Sequence, residues 1–432
     1  MTENVQAPPA ALSRQEQAAV DALDRGREEL LRFVSELVAI PSVTGNEGEA
    51  AAFVHDWLRR NGFEARKEYI DDSALERWPR CAGERDLENR PNIVAELRSA
   101  APTMGDFVIN GHVDVVPAGD AAKWARDPFS GAREDGLIWG RGAADMKGGL
   151  GAALFALRAL RDAGVELPFN VQVQCVVAEE SGGLGTLALM QGAPVPSAAI
   201  VLEPTECKIV TACGGATPFT LTVNGKAAHV ALPWTGVSAY EKSRLVHDRL
   251  VALERERHAR LGHPLFDQLP NKAPLSIGKV EAGEWRLTIP DTARLYGRVG
   301  TLPEEDLAAV RGELEAAMAG LASEDDWFRD HPVEIHWDGD FDGWETAADS
   351  DLVAGLRASA RATGADIQTA CVTYGSDASA FAGMGVPVVL FGPGSIANAH
   401  CKDEYVPESE IALVSRLTAL GIARFGAARS GS

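Results

Sequence analysis

The sequence at residues 107–117 is Phe107-Val108-Ile109-Asn110-Gly111-His112-Val113-Asp114-Val115-Val116-Pro117. Its apolar start predicts a buried β-strand. His112 and Asp114 lie two residues apart, and side chains of an extended chain alternate between faces, so both point to the same side. A histidine with a carboxylate beside it is how proteins build a metal ligand together with the group that orients it. The stretch therefore predicts a metal site if other segments supply further ligands.

Segments with the spacing of strands alternate with segments with the spacing of helices on both sides of this stretch. Strands are predicted at 92–97, 107–116, 171–178 and 198–202. Helices are predicted at 13–38, 47–61 and 147–163. This alternation is typical of an α/β fold, in which a mostly parallel sheet is covered by helices on both faces.

The pattern changes after residue 213. The order there is strand 217–223, helix 235–257, strands 274–280 and 291–299, helix 303–322 and strand 332–337. This βαββαβ order predicts a ferredoxin-like unit. Helices and strands alternate again from about residue 348, so the unit is inserted into the larger one. We therefore expect a catalytic domain formed by 1–213 and 341–432, and an inserted domain, 214–340.

Composition excludes several classes of protein. A chain of 432 residues is too long for one ordinary core. The formal net charge of -21 opposes nucleic-acid binding, which needs a basic surface. The six cysteines are scattered without metal or disulfide spacing, which predicts reduced thiols and a cytoplasmic location. We also expect no secretory signal and no membrane partner, because no apolar run approaches the ~20 residues of a membrane span.

Four further sites carry side chains of the kind that bind metals. Asp145 lies in the glycine-rich turn 140–149, the Glu179-Glu180 pair and Glu203 each follow a predicted strand, and His400 follows the strand 387–391. Ligands of open α/β sheets bind beyond the carboxyl ends of the strands, where all of these residues are expected.

Two of these sites also have a plain structural interpretation. Asp145 is well placed to cap the following helix, and two adjacent glutamates often lie in a solvated turn. The combination favours metal binding, because it supplies two imidazoles and three carboxylates: His112, Asp145, Glu180, Glu203 and His400. Five ligands fit two divalent ions when one carboxylate bridges them, as in two-metal hydrolases.

These motifs, in this order between about residues 30 and 420, resemble the M20 family of metallopeptidases and deacylases. The resemblance includes Lys123-Trp124, Asp127-Pro128-Phe129 and the inserted domain, which is a lid and dimerisation domain in that family. It implies a hydrolase of linear amides with two divalent metal ions. Zinc is the expected metal, with cobalt or manganese as alternatives.

The resemblance also implies a role for each residue of the site. His112, Asp145 and Glu203 would bind one ion, and Asp145, Glu180 and His400 would bind the other, with Asp145 as the bridge. Asp114 would orient His112 through its free ring nitrogen, and Glu179 would be the general base. The peptide bond between Asp145 and Met146 is expected to be cis.

The inserted domain supplies a further implied residue. His229, at the end of the segment 224–229, would stabilise the oxyanion, often in the partner subunit's site, which implies a homodimer through the lid. As a single feature, a histidine at this position is more often a surface residue. The other six histidines lie in charged or loop segments and are interpreted as surface residues.

One family feature is missing. Many relatives carry a substrate-binding arginine where this chain has Gly300, and Arg298, on the same strand face, or Arg286 would have to replace it. Gly392 and Gly394 would contact substrate through backbone groups. The segment Tyr374-Gly375-Ser376-Asp377 would line the pocket.

The sequence thus predicts a deacylase that cleaves the amide of an N-acyl amino acid or a similar small amide, using a metal-bridged water and Glu179. One alternative is a dipeptidase or carboxypeptidase with the same site. A more remote alternative is a catalytically silent relative that only binds ligands, although such a protein would be expected to lose the base or a ligand.

Overall fold

The structure is a computed structural model that describes residues 11–427 except 72, 74–76, 79–80 and 82–85. The chain divides into two compact units. The first unit falls in Met1–Thr211, Thr346–Ala370 and Ser376–Ser432. The second unit consists of Ala212–Glu345 and the short stretch Cys371–Gly375.

The secondary-structure elements are numbered in chain order. The helices are α1 (Arg14–Arg25), α2 (Arg27–Val38), α3 (Gly48–Arg60), α4 (Gly148–Asp162), α5 (Leu184–Met190), α6 (Ala239–Arg260), α7 (Leu307–Gly320), α8 (Trp327–Asp330), α9 (Asp351–Thr363), α10 (Ala378–Ala382) and α11 (Glu408–Ala427). The strands are β1 (Ala65–Glu68), β2 (Asn92–Leu97), β3 (Phe107–His112), β4 (Arg133–Glu134), β5 (Leu137–Trp139), β6 (Val171–Val176), β7 (Ala198–Val201), β8 (Ile209–Cys213), β9 (Ala216–Asn224), β10 (Leu275–Ala282), β11 (Thr292–Gly300), β12 (Glu334–Trp337), β13 (Trp344–Glu345), β14 (Thr369–Val372), β15 (Val388–Leu390) and β16 (Tyr405–Pro407).

The first unit is built on a mixed sheet in the order β1-β2-β6-β3-β7-β15-β8. The four central strands β6, β3, β7 and β15 are parallel, whereas β1, β2 and β8 pair antiparallel at the two sides. Every residue of β3 is buried, as expected for a strand covered by helices on both faces. The predicted α/β class is confirmed, and the parallel arrangement holds for the centre of the sheet.

Helices of the first unit pack closely. A Cβ atom at Gly151 of α4 would lie 2.4 Å from Cγ2 of Val34, so only glycine allows α2 to approach this near. The single helix predicted at 13–38 is wrong: it is divided at Gly26, which ends α1 and begins α2, because glycine is a weak helix former. Among the helices that the structure describes, none has the length and apolarity to span a membrane.

The second unit contains a four-stranded antiparallel sheet in the order β10-β11-β9-β12. Residues of β9 alternate between buried and half-buried, which is the pattern of a sheet with one covered face. Phe219 and Leu221 of β9 pack in a core with Leu250 of α6 and Leu314 of α7. The predicted βαββαβ arrangement and its ferredoxin-like strand order are confirmed.

Candidate metal centre

Three neighbouring parallel strands place acidic and imidazole side chains at one edge of the first unit's sheet. His112 is the last residue of β3, Glu179 and Glu180 follow β6, and Glu203 follows β7. Because β6, β3 and β7 are parallel neighbours, their carboxyl ends meet at the same edge. Asp145, from the turn before α4, joins them there.

Asp145 lies between two imidazoles. Its Oδ1 is 3.1 Å from Nε2 of His112, and its Oδ2 is 3.6 Å from Nε2 of His400. His400 also lies 3.0 Å from Oε2 of Glu180. The peptide bond between Asp145 and Met146 is cis, as predicted. One carboxylate thus presents one oxygen to each histidine.

The hydrogen bond at the other ring nitrogen of His112 decides where its proton lies. Nδ1 is 2.8 Å from the main-chain carbonyl oxygen of Asp114. A carbonyl oxygen only accepts hydrogen bonds, so Nδ1 carries a proton and donates. In the neutral imidazole the lone pair is then on Nε2, the atom that faces Asp145 and that would bind a metal ion.

Two overlapping groups of side chains have the spacing of metal ligands. His112, Glu179 and Glu203 offer atoms within 4.8 Å of one another, and His112, Asp145 and Glu180 do the same. The structure therefore brings together all five residues predicted as ligands, and the predicted base Glu179 lies among them.

The carboxyl groups of this cluster oppose one another's ionisation. Burial raises the pKa of Glu203 well above its usual range, and the charge of Asp145 raises it further. Burial likewise raises the pKa of Glu180, although its hydrogen bond to His400 opposes this. Buried like charges are costly unless a cation neutralises them. Carboxylates and imidazoles suit divalent transition-metal ions, so the residues present fit a pair of such ions.

The carboxylate of Asp114 has hydrogen-bond partners other than the predicted His112. Its Oδ1 is 3.6 Å from Nδ1 of His112, too far for a hydrogen bond, so it is the main-chain carbonyl of Asp114 that orients the ring. The carboxylate instead accepts hydrogen bonds from the main-chain N–H groups of Glu179 and Glu180, both at 3.2 Å. Thr44 donates its hydroxyl to the same carboxylate at 3.0 Å.

A second carboxylate positions Asp145. Oε1 of Glu404 accepts hydrogen bonds from the main-chain N–H groups of Ala144, at 3.0 Å, and Asp145, at 3.2 Å. The other oxygen of Glu404 pairs with Arg141 at 2.6 Å, and both side chains are buried. This pair was not predicted, and its only signal in the sequence is a glutamate four residues after His400.

Gly392 and Gly394, which were predicted to contact substrate, form hydrogen bonds within the protein. The N–H of Gly392 donates to the hydroxyl of Thr205, and the N–H of Gly394 donates to Glu410. A Cβ at Gly392 would lie 2.5 Å from the carbonyl oxygen of Glu203, so this glycine allows the two loops to approach. Both N–H groups thus have acceptors within the protein.

The pocket segment predicted at 374–377 is divided between the two units. Asp377, in the first unit, is buried and accepts a hydrogen bond from the hydroxyl of Thr186 at 2.6 Å. Burial raises the pKa of Glu179 well above its usual range, and the charges of Glu203 and Asp377 add to that rise. Asp377 is therefore a neighbour of the acidic cluster.

Tyr374 belongs to the second unit, where its carbonyl oxygen accepts from the thiol of Cys213.

His229 and the two arginine candidates also belong to the second unit. His229 is exposed, and its Nδ1 accepts a hydrogen bond from the main-chain N–H of Ala231 at 3.1 Å. Arg298 of β11 donates to the carbonyl oxygen of Thr373, and burial lowers the pKa of its guanidinium. Arg286 is exposed.

The local backbone explains the missing arginine at position 300. A Cβ atom on Gly300 would lie 2.9 Å from the carbonyl oxygen of Pro274 on the neighbouring chain segment. The Gly300 carbonyl also accepts a hydrogen bond from Arg257. A side chain at this position would require the neighbouring segment to move.

Comparisons with known proteins identify the family of the chain. Residues 108–422 match the model of "Peptidase family M20/M25/M40". The chain is 28% identical over 413 residues to the N-formyl-4-amino-5-aminomethyl-2-methylpyrimidine deformylase of Halalkalibacterium halodurans, covering 90% of this chain and 92% of that protein. It is 25% identical over 404 residues to a probable succinyl-diaminopimelate desuccinylase of Staphylococcus epidermidis, covering 88% and 93%.

Solved structures of dipeptidases have a similar fold. The solved structure of the dipeptidase Dug1p from Saccharomyces cerevisiae superposes with a TM-score of 0.79 at 16% identity, covering 96% of this chain and 99% of that chain. Human carnosine dipeptidase 1 superposes with a TM-score of 0.75 at 17% identity, covering 95% and 100%. The chain therefore belongs to peptidase family M20/M25/M40 and is a hydrolase of amide bonds.

Proposed function

We propose that the protein is a metal-dependent deacylase that removes a small acyl group from the nitrogen of an amino acid or a similar small amine. The observation that carries the metal site is the position of Asp145, with one carboxylate oxygen toward each of two imidazoles. The deformylase and desuccinylase relatives, matched over 92% and 93% of their own length, support deacylation.

The ligand sets follow the sequence prediction. His112, Asp145 and Glu203 would hold one divalent ion, and Asp145, Glu180 and His400 would hold the other. Zinc is the metal we propose, with cobalt and manganese as alternatives. When bound, such ions supply Lewis acidity toward the amide carbonyl and the attacking water.

Glu179 would act as the general base. One of its carboxylate oxygens would take the proton of the attacking water and later deliver it to the leaving nitrogen. Its main-chain N–H donates to the buried Asp114, which fixes the backbone from which the side chain extends. The neighbouring Glu180, bonded to His400, is left to bind metal.

His229 would donate a hydrogen bond to the developing oxyanion. Its Nδ1 accepts from Ala231, so the neutral ring carries its proton on Nε2 and has a donor to offer. By resemblance this histidine would serve the site of a partner subunit, and we include a homodimer through the lid in the proposal. Arg298 or Arg286 would bind a substrate carboxylate.

The proposal also includes a lid domain at 214–340 and a cytoplasmic location. The lid range 214–340 is supported by the second compact unit, Ala212–Glu345, to which Cys371–Gly375 also belongs. A cytoplasmic location is supported by the scattered spacing of the six cysteines, which predicts reduced thiols.

A hydrolysis screen tests the function. The purified protein, with zinc added, is assayed on N-formyl, N-acetyl and N-succinyl amino acids and on dipeptides of the same amino acids. We expect higher kcat/KM on the acylated amino acids. Hydrolysis of dipeptides alone would contradict the proposed deacylase and identify the protein as a peptidase. Absence of both turnover and bound metal would favour the silent ligand-binding relative.

A further inference from the structure

The turn that carries Glu179 is held by carboxylates at three consecutive main-chain N–H groups. The N–H of Ala178 donates to Oε1 of Glu47 at 3.3 Å. The N–H groups of Glu179 and Glu180 donate to Oδ1 and Oδ2 of Asp114, each at 3.2 Å. The two acceptors come from different segments of the chain, so the turn is fixed from two sides.

The backbone conformation of Ala178 needs the support of these hydrogen bonds. Its φ of 58° lies in the left-handed region, which residues other than glycine rarely adopt. A relaxed Ala178 would return to the extended or right-handed region and change the direction of the chain at the next residue. That residue is Glu179, whose side chain lies among the candidate metal ligands.

Glu47 is itself held by a buried arginine. Nε and Nη2 of Arg90 donate to Oε2 and Oε1 of Glu47 at 2.6 and 2.7 Å. The side chain of Glu47 is 0% exposed and that of Arg90 is 2% exposed. Gly45 also donates its N–H to Oε2 of Glu47 at 3.1 Å. Arg90 and Gly45 thus fix the orientation of the Glu47 carboxylate, one oxygen of which accepts from Ala178.

A buried ion pair is weak evidence for stability. Removing two charges from water costs so much that well-packed apolar residues of similar size often serve the fold equally well. The position of this pair points to a different benefit, since Glu47 accepts from Ala178, the residue directly before the two that Asp114 holds.

We infer that Glu47 is a positioning residue for the hydrolysis: it fixes the main chain at Ala178 and thereby the direction of Glu179, with Arg90 as its counter-ion. The inference rests on the proposed function for the role of Glu179. Small displacements of a reacting group lower turnover strongly, so the loss of this hydrogen bond lowers kcat more than it raises KM.

Two double variants separate the hydrogen-bond acceptor from the ion pair. Glu47→Gln/Arg90→Met and Glu47→Leu/Arg90→Met both lack the charges and have similar volumes. Only the first keeps a carbonyl oxygen that can accept from Ala178. We expect kcat of the Leu double variant to be about 10- to 100-fold below that of the Gln double variant, with KM, Tm and metal content similar in the two.

Hydrogen exchange supplies a readout that does not depend on activity. Amide exchange in the peptide 171–183 is expected to be faster in the Leu double variant than in the Gln double variant. Equal exchange or equal kcat in the two would overturn the inference. Full activity of Glu179→Gln would instead overturn the proposed base, and the exchange experiment would still report whether Glu47 holds the turn.

A matched ion pair elsewhere in the first unit controls for the loss of a buried pair. Arg424 donates to Glu16 at 2.6 Å, and both side chains are about nine-tenths buried. Glu16→Leu/Arg424→Met is expected to leave kcat and the exchange of 171–183 unchanged. A fall in kcat as large as in the Leu variant of Glu47 would show a general effect of removing buried pairs and would overturn the inference.

Discussion

The main-chain N–H of Glu179 donates a hydrogen bond to Oδ1 of Asp114 at 3.2 Å. The other oxygen of the same carboxylate accepts from the next residue, Glu180, so a single buried side chain fixes two adjacent residues of the site. The carboxylate is therefore tied to the two glutamates, while only the main chain of Asp114 is bonded to His112.

Asp114→Asn tests this arrangement. An asparagine has one oxygen where the aspartate has two, so one of the two N–H groups would face an NH₂ group and lose its acceptor. We expect destabilisation of about 1–3 kcal/mol, measured by urea unfolding, together with lower kcat. Normal kcat with normal stability would contradict the arrangement.

Glu179→Gln removes the proposed base and keeps the size of the side chain. We expect kcat to fall by about 10²- to 10⁴-fold, because a positioned general base contributes about that much. Metal content, measured by mass spectrometry of the metal ions, should stay at the wild-type level. Glu166→Gln, an exposed glutamate of the first unit, is the control and should have normal kcat.

The bridging role of Asp145 predicts different losses for two ligand variants. Asp145→Ala should bind neither ion tightly, whereas His400→Ala should keep the ion held by the other set. The metal-to-protein ratio after dialysis measures both. The exposed His247 gives a control variant, His247→Ala, that should keep the wild-type ratio. Two tightly bound ions in Asp145→Ala would rule out the bridge.

Arg141→Met tests the pair that positions Asp145. It leaves the buried Glu404 without its counter-ion, so we expect a loss of about 3–5 kcal/mol in the free energy of unfolding. Metal affinity should fall about 10- to 100-fold, because Glu404 holds the main chain of a ligand. Arg98→Met removes an exposed ion pair and should change neither quantity measurably.

Two glycine variants are expected to change stability in opposite directions. Gly392→Ala places a Cβ 2.4 Å from the carbonyl oxygen of Leu202, and we expect it to lower the free energy of unfolding by about 1–3 kcal/mol. Gly312→Ala lies within α7 with no atom near its Cβ and should raise it by about 0.5–1 kcal/mol. Thermal unfolding of both variants measures the difference.

Four of the five candidate ligands were predictable because each has a strong local signal. His112, Glu180 and Glu203 follow apolar runs that form the central strands, and Asp145 lies in a glycine-rich turn before a helix. The ends of parallel strands meet by geometry alone, so their convergence could be expected before any contact was known.

The groups that hold these ligands could not be predicted in the same way. Glu47 contacts Arg90, 43 residues away, and Ala178, 131 residues away. Nothing near Glu47 in the sequence distinguishes it from a solvated glutamate at the start of a helix. The bond between Asp114 and the glutamates is also tertiary, so sequence reasoning placed the correct residue in the site but gave its carboxylate the wrong partner.

The insertion of the second unit between Thr211 and Thr346 has a consequence for how the protein folds during synthesis. Helix α11 packs against α4, α9 and α1, so the part of the α4 surface that α11 covers stays exposed until α11 has been synthesised. His400 is also synthesised after the whole insertion. A nascent chain can therefore form most of the second unit, Ala212–Glu345, early. The core of the first unit stays incomplete, and prone to aggregation, until its distant C-terminal segment has been synthesised.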